Sequence, residues 1–245
     1  MTSRPPNTRR TAGPSLFKID GVDIAVELRR NARARRYILR VDPRTRRAIV
    51  TMPVRASSNE ALAFARSRRL WILGRLLETP APTPFGDGVS FPLEGEMATI
   101  RRRDAGRGAT FEESVRELSV ACAPEHLNRR VVDWLKRRAR ERLSSMTDEF
   151  STRIGERRGP IAVRDQQSRW GSCSSDGALS FSWRLILAPS FVLDYVAAHE
   201  CAHLRHMNHS PAFWRLVDRM GVDRTGAEEW LKRRGPDLFC WGVDA

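Results

Sequence analysis

The sequence predicts an α+β fold. Three observations carry that reading. Strand-length alternating runs dominate the first half, a long amphipathic helical pattern opens near Pro124, and a later helix carries four of the chain's five histidines. Such an order describes a strand-rich region followed by a mixed region of helices and strands that carries the histidines.

The elements follow in order. Residues 1–14 are polar and Pro-rich, with almost nothing to bury, and read as a disordered tail. A strand-rich α+β region spans 15–120. Between Phe17 and Val54 the runs "DIAVELRR", "RYILRVD" and "RAIVTMPV" alternate apolar and polar residues, and "DPRTR" supplies a turn between the last two. Ser58 then caps a helix over 59–77, ended by the Pro/Gly-rich "TPAPTPFGDG". Shorter strand candidates are "VSFPL", "MATIRRR" and "VRELSVAC".

The second region, 121–245, begins with a long helix on which Leu127, Val131, Trp134, Leu135, Ala139, Leu143, Met146 and Phe150 recur at helical spacing. A strand "IAVRD" follows. "ALSFSWRLIL" reads as a buried strand, and Pro189 opens the helix that carries the histidines.

Composition narrows the function classes. Hydrophobic residues make up 41% and charged residues 29%, with formal net charge +14. Lys18, Lys136 and Lys232 are the only lysines, so arginine supplies nearly all the positive charge. A bias of that kind scatters charge, and the expectation is weak, non-specific nucleic-acid binding, about 10⁻⁴–10⁻⁶ M at physiological salt. The densest run, "RRNARARR", lies between strand candidates and lacks interleaved aromatics. Four cysteines without CxxC spacing read as reduced thiols of a cytoplasmic protein. The most apolar later stretch is broken by Pro189 and carries Asp194, His199 and Glu200, so no membrane span is expected.

His199-Glu200-Cys201-Ala202-His203 is an HExxH sequence. Residues four apart on a helix lie one turn above each other, so His199 and His203 can converge on one ion, with Glu200 beside them. A third donor comes from His206 or His209. On an unbroken helix His206 would join the same axial row, which cannot surround an ion tetrahedrally. "NHSP" reads instead as a break, with Asn208 near the C-cap, Ser210 as the next N-cap and Pro211 at its first position, which favours His209. Cys201 points away from the histidine face and reads as core. Tyr195 is either core or a hydrogen-bond donor near the substrate, Asp194 a solvated acid or an orienter of a ligand, and His126 a surface residue.

"RWGSC", "SFSWRLILAPSFVLDYVAAHE" and "HLRHMNHSPAFW" together resemble the YgjP-like zinc metallopeptidases, relatives of the SprT-like and other minimal zincins. The resemblance covers 115–235 closely. It implies a zincin-like domain in which a long helix and a small sheet back the HExxH helix. It also implies zinc held by His199, His203 and His209, Glu200 as catalytic base, and a peptide or protein substrate. Cys201 and Ser182 depart from the family pattern, which favours an aliphatic residue and asparagine there. Arg169 is a candidate for neutralising an oxyanion or a phosphate, or else a structural arginine of the "RWGSC" turn. In zincins an edge strand binds an extended peptide, a part "ALSFSWRL" could play. The expected function is a zinc-dependent hydrolase of the metallopeptidase type. The alternatives are a metal-dependent phosphohydrolase acting on a nucleotide substrate, and a basic nucleic-acid-binding protein with a structural zinc.

Overall fold

The computed structural model describes residues 15–19 and 22–243. The tail expected over 1–14 lies outside the described residues. The chain divides into two compact units between Ala81 and Pro82.

The first unit is a four-stranded sheet of order β1-β2-β4-β3, built from β1 (Ser15–Ile19), β2 (Val22–Asn31), β3 (Ile38–Asp42) and β4 (Arg47–Pro53). β2 and β4 run parallel, and the other pairs are antiparallel. Alternation puts Ile24, Val26 and Leu28 of β2 and Ala48, Val50 and Met52 of β4 on one face. There they are buried against Ala61 and Ala65 of α1 (Ser58–Ser67) and Ile72 of α2 (Arg69–Glu78). The single helix expected over 59–77 is therefore two. The Ser67 hydroxyl donates to the Phe64 carbonyl at 2.8 Å and the Arg68 N–H to Ala65 at 3.1 Å, which closes the first helix with a tight turn. The N-cap is Ser57, one residue earlier than expected, accepting from the Glu60 N–H.

The second unit starts with a sheet of order β5-β6-β8-β7, made of β5 (Ser90–Leu93), β6 (Glu96–Arg103), β7 (Ala109–Glu112) and β8 (Glu117–Ala121). Of these, β7 was not among the expected strands. Phe91, Leu93, Ile100, Leu118 and Val120 share one core with Leu127, Val131, Leu135 and Leu143 of the long helix α3 (Leu127–Arg153). That shared core is why the strands over 90–121 belong with α3, although the sequence reading put a boundary at 120.

A second sheet, of order β10-β11-β9, contains β9 (Ile161–Arg164), β10 (Gly171–Cys173) and β11 (Leu179–Ser182). β11 lies between an antiparallel β10 and a parallel β9. "ALSFSWRLIL" is strand only as far as Ser182. It then winds into a buried 3₁₀ turn, Trp183–Leu187. Arg184 of that turn, 1% exposed, pairs with Asp165 at 2.8 Å and donates to the Leu238 and Trp241 carbonyls at 2.8 and 2.7 Å. Helix α4 (Ser190–Ala202) packs its Cys201 against α3, with Sγ 3.7 Å from the Thr147 carbonyl. Two shorter helices close the unit, α5 (Pro211–Arg219) and α6 (Arg224–Arg234). The fold is α+β, with a long helix and a small mixed sheet behind α4. No described helix is long and apolar enough to cross a membrane.

Candidate metal centre

His199 stands in the last turn of α4 and His203 at its C-cap, with the His203 N–H reaching the His199 carbonyl at 3.4 Å. The helix thus ends well before Asn208, where the sequence placed its cap. Tight bonds close it: the Leu204 N–H donates to Cys201 at 3.0 Å and the Arg205 N–H to Ala202 at 3.2 Å. The chain then reverses into α5, where Ser210 accepts from the Phe213 N–H at 3.4 Å and Pro211 takes the first helical position.

That reversal carries His209 back to the other two. Its Nε2 lies 3.1 Å from Nε2 of His199, and one ring nitrogen from each of His199, His203 and His209 falls within 4.8 Å of the others. Two nitrogens each about 2.0–2.1 Å from a tetrahedral ion stand about 3.3 Å apart, so the cluster fits zinc. His206 is not in it. Its carbonyl accepts from Nδ1 of His203 at 3.0 Å, which leaves the His203 Nε2 lone pair for an ion.

The His199 and His203 imidazoles are held toward the neutral form, the one that binds metal. Burial, then the neighbouring His203 and His209, push His199 down to about 4. Burial also lowers His203. Glu200 is 6% exposed, and burial pushes its carboxyl up to about 7, against the pull of the Arg169 guanidinium and a hydrogen bond from the Cys173 N–H. A cavity of about 310 Å³ opens over this carboxyl, lined by β10, His199, His203, Met207 and His209.

A second set of residues braces the rings. The Tyr195 hydroxyl donates to Oε1 of Glu228 at 2.7 Å and lies 3.4 Å from Nδ1 of His199. Arg224 binds the same Glu228 oxygen at 3.1 Å and places its guanidinium 3.5 Å over the Trp214 ring. Trp214 in turn stacks on His209, with ring centroids 5.4 Å apart. Phe213 packs against all three imidazoles. The sequence reading singled out Tyr195 but missed Glu228 and Arg224. Their i, i+4 spacing on α6 is a legible signal, but nothing local says that α6 faces the histidines. Cys201 is buried on the opposite side of α4, and His126 is exposed at the start of α3.

Three converged imidazoles beside a buried carboxyl, on an α+β frame, define a candidate metallohydrolase. The chain belongs to the YgjP-like metallopeptidase family, whose domain it matches over residues 35–234. A search of curated proteins finds no match. Among solved structures it is similar to the metallopeptidase zymogen of Pyrococcus abyssi abylysin, at 21% identity and TM-score 0.33, over 37% of this chain and 90% of that one.

Proposed function

We propose that the protein is a zinc-dependent peptidase in which His199, His203 and His209 hold the ion and Glu200 is the general base. The observation that carries this reading is the approach of His209 Nε2 to His199 Nε2, with the buried Glu200 carboxyl one residue along the same helix. Zinc, when bound, acts as a Lewis acid toward a carbonyl and lowers the pKa of water. Glu200 accepts the proton of the attacking water and returns it to the leaving amine. In the metal-free site, burial raises its affinity for a proton.

A substrate backbone has a strand edge to follow. Ser182 N–H bonds to the Trp170 carbonyl and Ser174 N–H to the Ala178 carbonyl, so the even-numbered residues of β10 face β11. Gly171 and Cys173 therefore turn their main-chain groups outward, away from β11. This edge is β10 and not "ALSFSWRL", because β11 is flanked on both sides. Cys173 N–H already serves Glu200, which leaves the Gly171 N–H and carbonyl for an extended peptide.

The deciding assay offers zinc-loaded protein a mixed peptide library and a nucleotide panel, with Glu200→Gln as control. Peptide cleavage lost in Glu200→Gln is the expected result. Cleavage confined to nucleotides would replace the peptidase reading with a phosphohydrolase. No turnover of either, with zinc firmly bound, would make the site structural.

A further inference from the structure

The positive charge is not scattered. Through Ala81 the sequence holds 18 Lys and Arg against 6 Asp and Glu, net +12, whereas from Pro82 onward it holds 25 against 23, net +2. Compositional bias would spread the excess over both units, and the catalytic unit instead balances its own. Ion pairs hold at least twelve of its arginines.

Within the first unit, four arginines without ion-pair partners among the described residues share one end of the sheet. β2 and β4 are parallel, with Asn31 opposite Pro53, so the loops 32–37 and 54–57 leave the sheet at the same end. Arg30 ties the two together, donating to the carbonyls of Val54 and of Ala56 (2.9 Å) and to the Ser58 hydroxyl (3.2 Å). Around this tie Arg33, Arg35, Arg36 and Arg55 are exposed, and none has an acidic partner at ion-pair distance among the described residues. Glu60, the acid at this end, is engaged by the Tyr37 hydroxyl at 2.9 Å. The N-terminus of α1 adds its partial positive charge beside Ser57.

We infer that the loops 32–37 and 54–57 of the first unit form a phosphate-backbone contact surface for duplex nucleic acid. Arginine forks match phosphate oxygens two at a time, and four uncompensated forks at one end suit a polyanion with closely spaced charges. The contact is independent of sequence. Tyr37, the one aromatic in the loop, is committed to a stack on Phe64 at 5.7 Å and offers no platform for a base. This surface uses no residue of the metal centre and stands or falls separately from the peptidase reading.

The test is fluorescence anisotropy of a labelled 20-bp DNA duplex with the full chain across a salt series. Four phosphate contacts give a log–log slope of about −3.6. Arg33→Ala/Arg35→Ala/Arg36→Ala, exposed positions in a turn, should flatten the slope by about 2.7 and weaken binding at about 0.1 M salt by a hundredfold or more. Arg55→Ala alone should remove about 0.9 from the slope. The control Arg129→Ala/Arg130→Ala/Arg137→Ala strips the same charge from exposed positions of α3 and should leave binding within about twofold. Circular dichroism checks the fold of each variant. Equal losses in both triple variants would mean diffuse attraction and overturn the assignment. Tighter binding to phosphatidylserine vesicles than to duplex at equal phosphate would overturn the choice of partner.

Discussion

Gly171 and Glu200 are fitted to one another: a Cβ on Gly171 would stand 2.5 Å from Oε1 of Glu200 and 2.6 Å from its Cγ. The carboxyl of α4 occupies the space that any side chain on this β10 residue would fill. Gly171→Ala should therefore swing Glu200 away from the cavity without touching the three histidines. Zinc content should stay near one per chain while turnover falls by about tenfold or more, part of the hundredfold to ten-thousandfold that a general base contributes. Unchanged turnover in a folded, zinc-replete Gly171→Ala protein would count against Glu200 as the base.

The two remaining histidine candidates separate cleanly by metal analysis. His209→Ala removes a ring nitrogen from the cluster and should strip or strongly weaken zinc. His206→Ala keeps the carbonyl that His203 binds and should leave zinc in place. The reverse order would refute the ligand assignment.

Tyr195→Phe deletes the hydroxyl that joins His199 to Glu228 and leaves the ring packing intact. Partners of this kind fix a ligand's orientation, and losing one typically costs about 10–100-fold in metal affinity. Competition against a zinc chelator should show that loss with the melting temperature of the metal-free protein nearly unchanged.

Burial of Glu200 also leaves a mark on the metal-free protein. Its folded carboxyl holds a proton up to about pH 7, whereas an ordinary one releases it near 4.5. Stability from this group is complete below about pH 4.5 and is lost as pH rises through 7. The loss is on the order of 3 kcal/mol, at about 1.4 kcal/mol per unit. In chelator-stripped protein, the wild type should lose stability relative to Glu200→Gln over that window. Parallel curves for the two would exclude the buried, protonated carboxyl.

Arg184 ties the 3₁₀ turn to the C-terminal segment through the Leu238 and Trp241 carbonyls. Arg184→Met should cost about 3 kcal/mol, because the Asp165 carboxylate and two carbonyls lose their donor. Denaturant unfolding reads this directly. A change under about 0.5 kcal/mol would show that the network does not hold the segment.

Much of the candidate site was legible in the sequence because it is local. The spacing of His199 and His203, the break before His209 and the cap at Ser210 are consequences of helix periodicity and backbone chemistry within a dozen residues. The long helix and most strands followed from the same periodicities. Three features required the folded chain. The core shared by Phe91, Leu93 and Ile100 with α3 sets the division at Ala81, because burial joins residues far apart in sequence. The room that Gly171 leaves for Glu200, and the approach of Glu228 to Tyr195, join segments more than twenty-five residues apart with no local pattern to announce them. The sequence alone determined which atoms could bind a metal, since ligand chemistry belongs to residue types and helical spacing. Only the tertiary structure decided what surrounds them, since packing between distant segments follows from where the whole chain buries its apolar surface.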